Sequence, residues 1–447
     1  MSNRSDKMAT WPIAKLLFSM GLPAVFSMLI QALYNVVDSI YISKYSQDAL
    51  FAIGVVTPFV MIGLSIALGS GVGIATIVAR RLGEKNKDEA EAVASTGIIL
   101  TICHIAITML LCFTLGKKFI GLFTDRPEIM TLGWAYMSIC MYFCFGQHFA
   151  VFYERLMQGQ SNMLVPMFAQ MFGAITNIIL DPILIFGTSF IPAMGIKGAA
   201  IATVIGQILQ MMICLILYKK NEVKIKLKGL KLELKRIKGI YALGLPTMIM
   251  NSVISVTTTL MNTILVDFSE DAVSSLSIYF KLQSFVFMPV FGFAQGALPI
   301  LSYNYGAMNK KRYVDTFKLF LTTNIVLLFL GTLLFRFKTD LVLSFFTMSD
   351  HLNIIATAAL QTICFSFIPA AISISMGNIF QSFGQGIYSM LQSILRQIIL
   401  LVPIAYLLSR TGVLANVWYA YPISETIVCL IYIPLTIITF RKHFNVN

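Results

Sequence analysis

The chain has 447 residues, of which 57% are hydrophobic and only 12% are charged, and its formal net charge is +13. Soluble globular proteins carry about 25% charged residues, so this composition, with a mean hydropathy of +0.80, excludes a soluble domain and predicts an integral membrane protein. The basic residues stand in short clusters between apolar segments, as membrane topology requires, and this placement excludes nucleic acid as a partner.

Twelve apolar segments are each long enough to cross a membrane as an α-helix, which takes about 20 residues. The short alternating segments that are typical of a membrane β-barrel do not occur in the sequence. The sequence therefore predicts an all-α integral membrane protein with twelve transmembrane helices. We place these helices near residues 14–43, 49–79, 93–116, 131–153, 163–188, 197–218, 239–266, 273–303, 316–336, 353–378, 387–409 and 415–440.

The positions of Lys and Arg predict how these helices are oriented. An even number of spans places both chain ends on one side of the membrane, and the segments on that side hold 23 of the 33 Lys and Arg residues, against 8 in the opposite loops. Because cytoplasmic loops carry the excess of basic residues, we expect a multi-pass protein of the cell (plasma) membrane with both termini in the cytoplasm. Nine of these bases lie in residues 219–238, which suits a cytoplasmic segment against anionic lipid headgroups.

The chain also repeats itself. Residues 21–90 align without gaps with residues 244–313, at an offset of 223 residues, and the two stretches share twelve identities. These include Gly21/Gly244, Pro23/Pro246, Ser46/Ser269, Gly69/Gly292, Gly73/Gly296 and Asn86/Asn309.

The repeat predicts the domain organisation. Each half has six predicted spans, so the two repeats run in the same direction and are related by an axis along the membrane normal. We therefore expect two pseudo-symmetric six-helix lobes, residues 1–218 and 239–447, joined by the basic linker 219–238. This architecture is more typical of transporters than of channels or enzymes.

Polar residues form a stripe on the first predicted helix. Gln31, Tyr34, Asn35 and Asp38 recur at steps of three and four, which places them on one helix face. No basic residue close in the sequence pairs with Asp38, and a carboxylate in a membrane is costly unless the protein uses it. The stripe predicts that this face lines a cavity or another helix.

The fifth span carries a similar stripe, Gln170, Asn177 and Asp181, and the sixth carries Thr203. By the predicted topology Asp38, Asp181 and Thr203 all lie in the outer half of the membrane. Carboxylate, amide and hydroxyl oxygens are hard ligands that suit Na⁺ or a proton. The alternative, separate polar groups at helix contacts, stays open, and for Thr203 taken alone it is the preferred interpretation.

Three further charges lie within predicted spans, Lys281, Arg396 and Glu425. Arg396 and Glu425 stand mid-span on consecutive helices, which favours a structural ion pair over a transport role; no role follows for Lys281. The sequence contains no Walker, HExxH or GxSxG motif, so we expect neither an enzyme nor an ATP-driven pump.

Longer motifs point to a known family. They are GLPAVFSMLIQALYNVVDSIYIS in the first span, GSGVGIATIVARRLGEKNKDEA after the second, GFAQGALPILSYNYGAMNKKR after the eighth, and SILRQIILLVPIAYLL and WYAYPISE near the end. Over essentially its whole length the chain resembles the multidrug and toxic compound extrusion (MATE) transporters, most closely their bacterial MepA-like branch. The resemblance implies the MATE fold of two six-helix lobes and the export of cationic amphiphilic drugs and dyes in exchange for H⁺ or Na⁺.

The resemblance also implies site residues. DinF-type members of the family carry an acid on the first helix, an N-x-x-x-D-P sequence on the fifth and a threonine within GAAxAT on the sixth. The matching positions here, which the resemblance assigns to H⁺ or Na⁺ coupling, are Asp38, Asn177, Asp181 and Thr203.

Two more residues match the family, Tyr34 as a cavity residue and Pro23 as a hinge, where proline removes a helix hydrogen bond. Acids that NorM-type relatives carry on the seventh and tenth helices are missing here from TMIMNSVISVTTTLMN and QTICFSFIPAAISISMG. We therefore expect coupling in the amino-terminal lobe only, with Gln31, Asn35 and Gln170 as further cavity residues.

The resulting hypothesis is a monomeric antiporter without cofactors, whose partners are small cationic substrates, the coupling ion and membrane lipid. The alternative is a flippase for lipid-linked sugars, or another small-metabolite exporter of the same two-lobe architecture. A flippase cleft would be lined with many arginines, whereas the only bases away from the ends of the predicted spans are Lys281 and Arg396.

Overall fold

The computed structural model describes residues 6–220, 225–227, 233–344, 346 and 349–444, apart from the side chains of Asp6 and Asn251. Within these residues every regular element is a helix. Residues 221–224 and 228–232 of the predicted linker lie outside the described residues, so its placement against the cytoplasmic membrane surface stays a prediction.

The described residues contain eleven helices that are long and apolar enough to cross a membrane, and a twelfth span if a pair bent by 47° is counted as one. The predicted all-α fold with twelve spans is thus confirmed. The spans are α1 (Ile13–Tyr45), α2 (Gln47–Gly83), α3 (Lys87–Gly121), the bent pair α4a (Pro127–Tyr142) and α4b (Phe145–Gly159), α5 (Leu164–Phe186), α6 (Ile196–Lys220), α7 (Leu234–Leu265), α8 (Glu270–Gly306), α9 (Lys310–Phe337), α10 (Asp350–Ser382), α11 (Gly386–Ser409) and α12 (Leu414–His443).

The helix starts account for part of the internal repeat. The side chain of Ser46 caps α2 by accepting a hydrogen bond from the backbone N–H of Ala49, and Ser269 caps α8 through Ala272 in the same way. Asn86 and Asn309 cap α3 and α9, again at matching positions. Capping side chains satisfy backbone donors that the first helical turn leaves unpaired, so both repeats begin these helices by the same chemistry.

Many large apolar side chains on these helices are exposed. Leu33 is 61% exposed, Phe113 76% and Leu430 67%, although each lies inside a long helix. In water such surfaces would be unstable, whereas in a bilayer they face lipid tails and the helix satisfies its own backbone. This exposure fits the hydropathy of the chain.

The chain packs as two compact units whose bounds lie inside helices. Among the described residues, unit 1 comprises residues 26–245, and unit 2 comprises residues 6–25 together with the chain from Pro246 onward. The chain therefore passes from one unit to the other within α1, shortly after the first Gly-Leu-Pro sequence, and again within α7, inside the second. The predicted lobes, bounded by the linker, stay a prediction.

In unit 2 the first part of α1 packs closely on α8. A Cβ atom on Gly292 would lie 2.7 Å from the backbone nitrogen of Val25, and one on Gly296 would lie 2.9 Å from the Cα of Gly21. Glycine permits this approach because it has no side chain, as at the close helix contacts of other membrane proteins. Phe293 fills the remaining space against Gly21.

Unit 1 contains the matching contact between α2 and the first part of α7. A Cβ atom on Gly244 would lie 2.9 Å from the backbone oxygen of Gly69, and one on Gly73 would collide with the backbone oxygen of Ile240. Gly69, Gly73 and Gly244 are the repeat partners of Gly292, Gly296 and Gly21. The repeated glycines thus mark one helix contact that occurs once in each unit.

Candidate functional site

Two carboxylates come together inside unit 1. Asp38, late in α1, is 8% exposed, and Asp181, late in α5, is fully buried. Their carboxyl groups are neighbours and interact electrostatically. Two bare carboxylates at this distance would repel, and a shared proton or a cation between them removes the repulsion.

An amide and a hydroxyl complete the cluster. The Nδ2 atom of Asn177, one turn before Asp181, donates to Asp181 Oδ1 at 3.2 Å and approaches Thr203 Oγ1 of α6 at 3.4 Å. Asn177 is 2% exposed and Thr203 6%. We call these four residues, Asp38, Asn177, Asp181 and Thr203, the Asp38–Asp181 site. The structure brings together all four residues of the predicted coupling site, while their role in coupling stays a prediction.

Three oxygen atoms of the Asp38–Asp181 site are buried and accept no hydrogen bond from the described residues: Asp38 Oδ1, Asp181 Oδ2 and Asn177 Oδ1. Each is a carboxylate or amide oxygen, which can only accept unless the acid is protonated. Buried acceptors without donors are costly. Their chemistry fits a proton or a hard cation such as Na⁺. Among the described residues no three His, Cys, Asp or Glu side chains form a metal-binding group.

Two tyrosines extend the site through Thr203. The hydroxyl groups of Tyr34 on α1 and Tyr136 on α4a both lie near the Thr203 side chain. Tyr34 was among the predicted residues, whereas Tyr136 was not. In the apolar run WAYMSICMY a tyrosine counts as a hydrophobic residue, and its one polar atom gives no periodic signal. Thr203 thus has three polar neighbours, Asn177 and the two tyrosines.

The other predicted cavity residues are less tightly held. Gln170 Nε2 donates to Gln31 Oε1 at 3.3 Å, which links α5 to α1. Gln31 and Asn35 are exposed. The Asn35 side chain makes no hydrogen bond with the described residues. Pro23 lies within a continuous helix, since α1 runs unbroken from Ile13 to Tyr45. Its role as a hinge stays a prediction.

Unit 2 holds the predicted ion pair. Arg396 Nη1 lies 3.1 Å from Glu425 Oε1, and the side chains are 21% and 13% exposed. Arg396 belongs to a π-helical stretch, Leu395–Leu401, inside α11. The repeat position of Asp38 in this unit is Met261, which is fully buried in an apolar cluster. Unit 2 therefore has no carboxylate at the position where unit 1 has Asp38.

Comparison with known proteins agrees with the internal repeat. A sequence profile of the MatE family matches residues 23–183 and 246–407, two segments that begin one repeat offset apart. The Multidrug export protein MepA of Staphylococcus aureus (strain NCTC 8325 / PS 47) is 24% identical over 443 residues, which cover 98% of this chain and 96% of MepA. The MepA-like resemblance of the sequence motifs is thus confirmed.

Solved structures share the fold. A MATE crystallised in the bent conformation has a TM-score of 0.92 at 20% sequence identity, over 99% of both chains. A MOP superfamily transporter from Pyrococcus furiosus Vc1 (DSM3638) has a TM-score of 0.91, also at 20% identity and over 99% of both chains. The reversed polarity of its binding pocket has suggested a different function for that transporter. At such identities the likeness establishes the fold alone, and it confirms the predicted MATE fold.

Proposed function

Because the chain belongs to the MatE family, whose members are membrane transporters, we propose that it is a multidrug efflux antiporter. It exports cationic amphiphilic drugs and dyes and admits H⁺ or Na⁺ in exchange, by alternating access. Multidrug export is the activity named for MepA, which this chain resembles along nearly its full length. Both termini lie in the cytoplasm, on the side that carries the basic loops. Drugs are therefore taken up on the cytoplasmic side and released outside the cell.

The observation that carries this proposal is the set of orphaned acceptor oxygens in the Asp38–Asp181 site. A buried pair of carboxylates is stable only when a proton or a cation compensates its charge. A site that needs a positive charge, and that lies inside a membrane helix bundle, is suited to binding and releasing the coupling ion. Tyr34, Gln31, Asn35 and Gln170 offer aromatic and amide groups to a cationic substrate on the same helices.

Ion binding acts through the two helices that hold the acids. With a proton or Na⁺ between them, Asp38 and Asp181 attract the same ion, and α1 and α5 stay together at this depth. When the ion leaves, the two negative charges repel and the outer part of α1 moves. Pro23 allows this motion because it lacks the N–H that would tie it to the preceding turn. A MATE of the same fold has been crystallised in a bent conformation.

Ethidium efflux from proteoliposomes under separately imposed H⁺ and Na⁺ gradients tests the proposal. We expect one gradient to drive efflux, and the same gradient to be without effect on the double variant Asp38→Asn, Asp181→Asn. Efflux that ignores both gradients, or a double variant that responds like the unmodified protein, would overturn the coupling role. A lipid-linked sugar tested in the same vesicles examines the flippase alternative.

A further inference from the structure

A second polar layer lies in unit 1, two helical turns from the Asp38–Asp181 site. Gln31, Gln170 and Gln210 each stand seven residues from a member of that site on the same helix, α1, α5 and α6 respectively. Seven residues are about two turns, or roughly 10 Å along the axis. Each glutamine therefore lies on the same face of its helix as the residue that it accompanies.

The contacts between the helices place the three glutamines at one level. Gln170 is hydrogen-bonded to Gln31, just as Asp181 meets Asp38 further along the same two helices. On the other side of α5, a Cβ atom on Gly173 would lie 3.2 Å from the Cβ of Gln210. The amides thus repeat, in the same helix order, the arrangement of the Asp38–Asp181 site.

This layer also has an acid. Glu154 of α4b accepts a hydrogen bond from Gln210 Nε2 at 2.5 Å through its Oε1 atom. The acid is half-buried, and its hydrogen-bond donor is a neutral amide; its charged neighbour is Arg155, the next residue on the same helix. A partly buried carboxylate on a membrane helix is a candidate functional group.

The neighbouring base, Arg155, has contacts of its own. Arg155 Nη1 donates to Gln158 Oε1 at 3.0 Å, and its stem packs on α2, where a Cβ atom on Gly71 would lie 2.6 Å from Arg155 Cγ. Consecutive residues of a helix point in different directions. The titratable or charged groups around Glu154 are Arg155 on its own helix and Cys214, one turn beyond Gln210 on α6.

From these contacts we propose that Glu154 is a second binding site for the coupling ion, with Gln31, Gln170 and Gln210 lining the way to the Asp38–Asp181 site. The inference rests on the proposed antiport. Seven residues from the first acids and Thr203, α1, α5 and α6 carry these glutamines on the same helix faces, and Gln210 contacts the carboxylate of Glu154. The ligand is the positive charge that the first site exchanges, either a proton or Na⁺. If Glu154 had only a structural role, it would hold α4b against α6 and would bind no ion.

Labelling with dicyclohexylcarbodiimide tests ion binding without any transport. This reagent modifies protonated carboxyl groups in apolar surroundings, and mass spectrometry of the unmodified protein in detergent locates the label. We expect label on Glu154 at acidic pH and protection as the pH rises. Protection by NaCl but not by choline chloride at constant pH identifies Na⁺, and protection by alkaline pH alone identifies the proton. No label at any pH, or label that neither pH nor Na⁺ changes, would refute the ion site.

Efflux of ethidium from proteoliposomes provides the second test. We expect Glu154→Gln and Gln210→Leu to slow gradient-driven efflux about tenfold, of the order expected for one lost ligand. Gln207→Leu is the matched control, since Gln207 lies one turn from Gln210 on α6 and should leave efflux unchanged. Normal efflux by Glu154→Gln would overturn the proposal even with the label present. An unmodified protein without gradient-driven efflux would instead contradict the antiport, and the labelling result would stand by itself.

Discussion

Asp38 and Asp181 lie on different helices, and their buried carboxyl groups are neighbours. Two neighbouring carboxylates repel unless a proton or a cation compensates their charge, so ion binding is linked directly to the spacing of α1 and α5. The same pair makes the site sensitive to substitutions that keep the shape of the side chain but remove its charge.

Neutralising either acid should separate folding from coupling. We expect Asp38→Asn and Asp181→Asn each to abolish gradient-driven ethidium efflux, because the remaining carboxylate alone no longer repels its partner when the ion leaves. Expression and thermal stability in detergent should be retained, since an amide in place of a buried acid removes a desolvation cost. Active efflux at the normal rate by either variant would remove that acid from the coupling site.

Thr203 tests whether the hydroxyl belongs to the ion site. It accepts a hydrogen bond from Asn177 and lies near two tyrosines, so Thr203→Val should weaken ion coupling by about 1 kcal/mol, the usual contribution of one hydrogen bond. The measurement is the gradient that gives half-maximal efflux. Asn262→Ala in unit 2, near the repeat position of Asp38, is the comparison and should leave that gradient unchanged. A changed gradient for Asn262→Ala, together with an unchanged gradient for Thr203→Val, would place the ion site in unit 2.

The repeated glycines should be intolerant of a methyl group. A Cβ atom on Gly73 collides with the backbone of Ile240, so we expect Gly73→Ala to destabilise the protein by about 1–3 kcal/mol, as overpacking does. Gly54 on the same helix has nothing within 4 Å of an added Cβ, and Gly54→Ala is the matched control. Thermal unfolding in detergent measures both. If Gly73→Ala and Gly54→Ala melt at the same temperature, α2 and α7 can move apart at no cost in stability.

The ion pair of α11 and α12 should matter for stability and not for transport. Removing only Glu425, as in Glu425→Ala, leaves Arg396 without its charge partner and should cost about 3 kcal/mol. The double variant Arg396→Met, Glu425→Met should recover much of that loss. We also expect it to keep gradient-driven efflux. A stable double variant without efflux would give the pair a role in transport.

Orientation can be tested at two exposed positions. In a background without the seven native cysteines, a cysteine at Lys311 should resist a membrane-impermeant thiol reagent in intact cells, because the charge bias predicts the cytoplasm there. A cysteine at Phe190, which is 96% exposed between α5 and α6, should react. Reversed labelling would invert the topology and the direction of transport.

The sequence predicted the spans well because hydropathy over some 20 residues is a strong signal, and it predicted the Asp38–Asp181 site because acids and amides are conspicuous in apolar helices. Tyr136 was missed because tyrosine does not interrupt an apolar run. Glu154 was missed because it adjoins Arg155 at the end of a span and belongs to no stripe on its own helix. The close approach of Gly73 to Ile240 could not be predicted either, since it depends on which helix lies opposite.

The passage of the chain between units within α1 and α7 has a consequence for how the molecule can be divided. A cut in the linker yields one fragment that keeps residues 6–25, which pack with unit 2, and another that carries residues 234–245, which pack with unit 1. Each fragment thus donates the first part of its first membrane helix to the other unit, as in a domain-swapped dimer. Neither fragment can complete its own packing, and the two should assemble only when they are made together. The two halves of the chain thus exchange segments. A half-length ancestor with this arrangement would have been an obligate dimer.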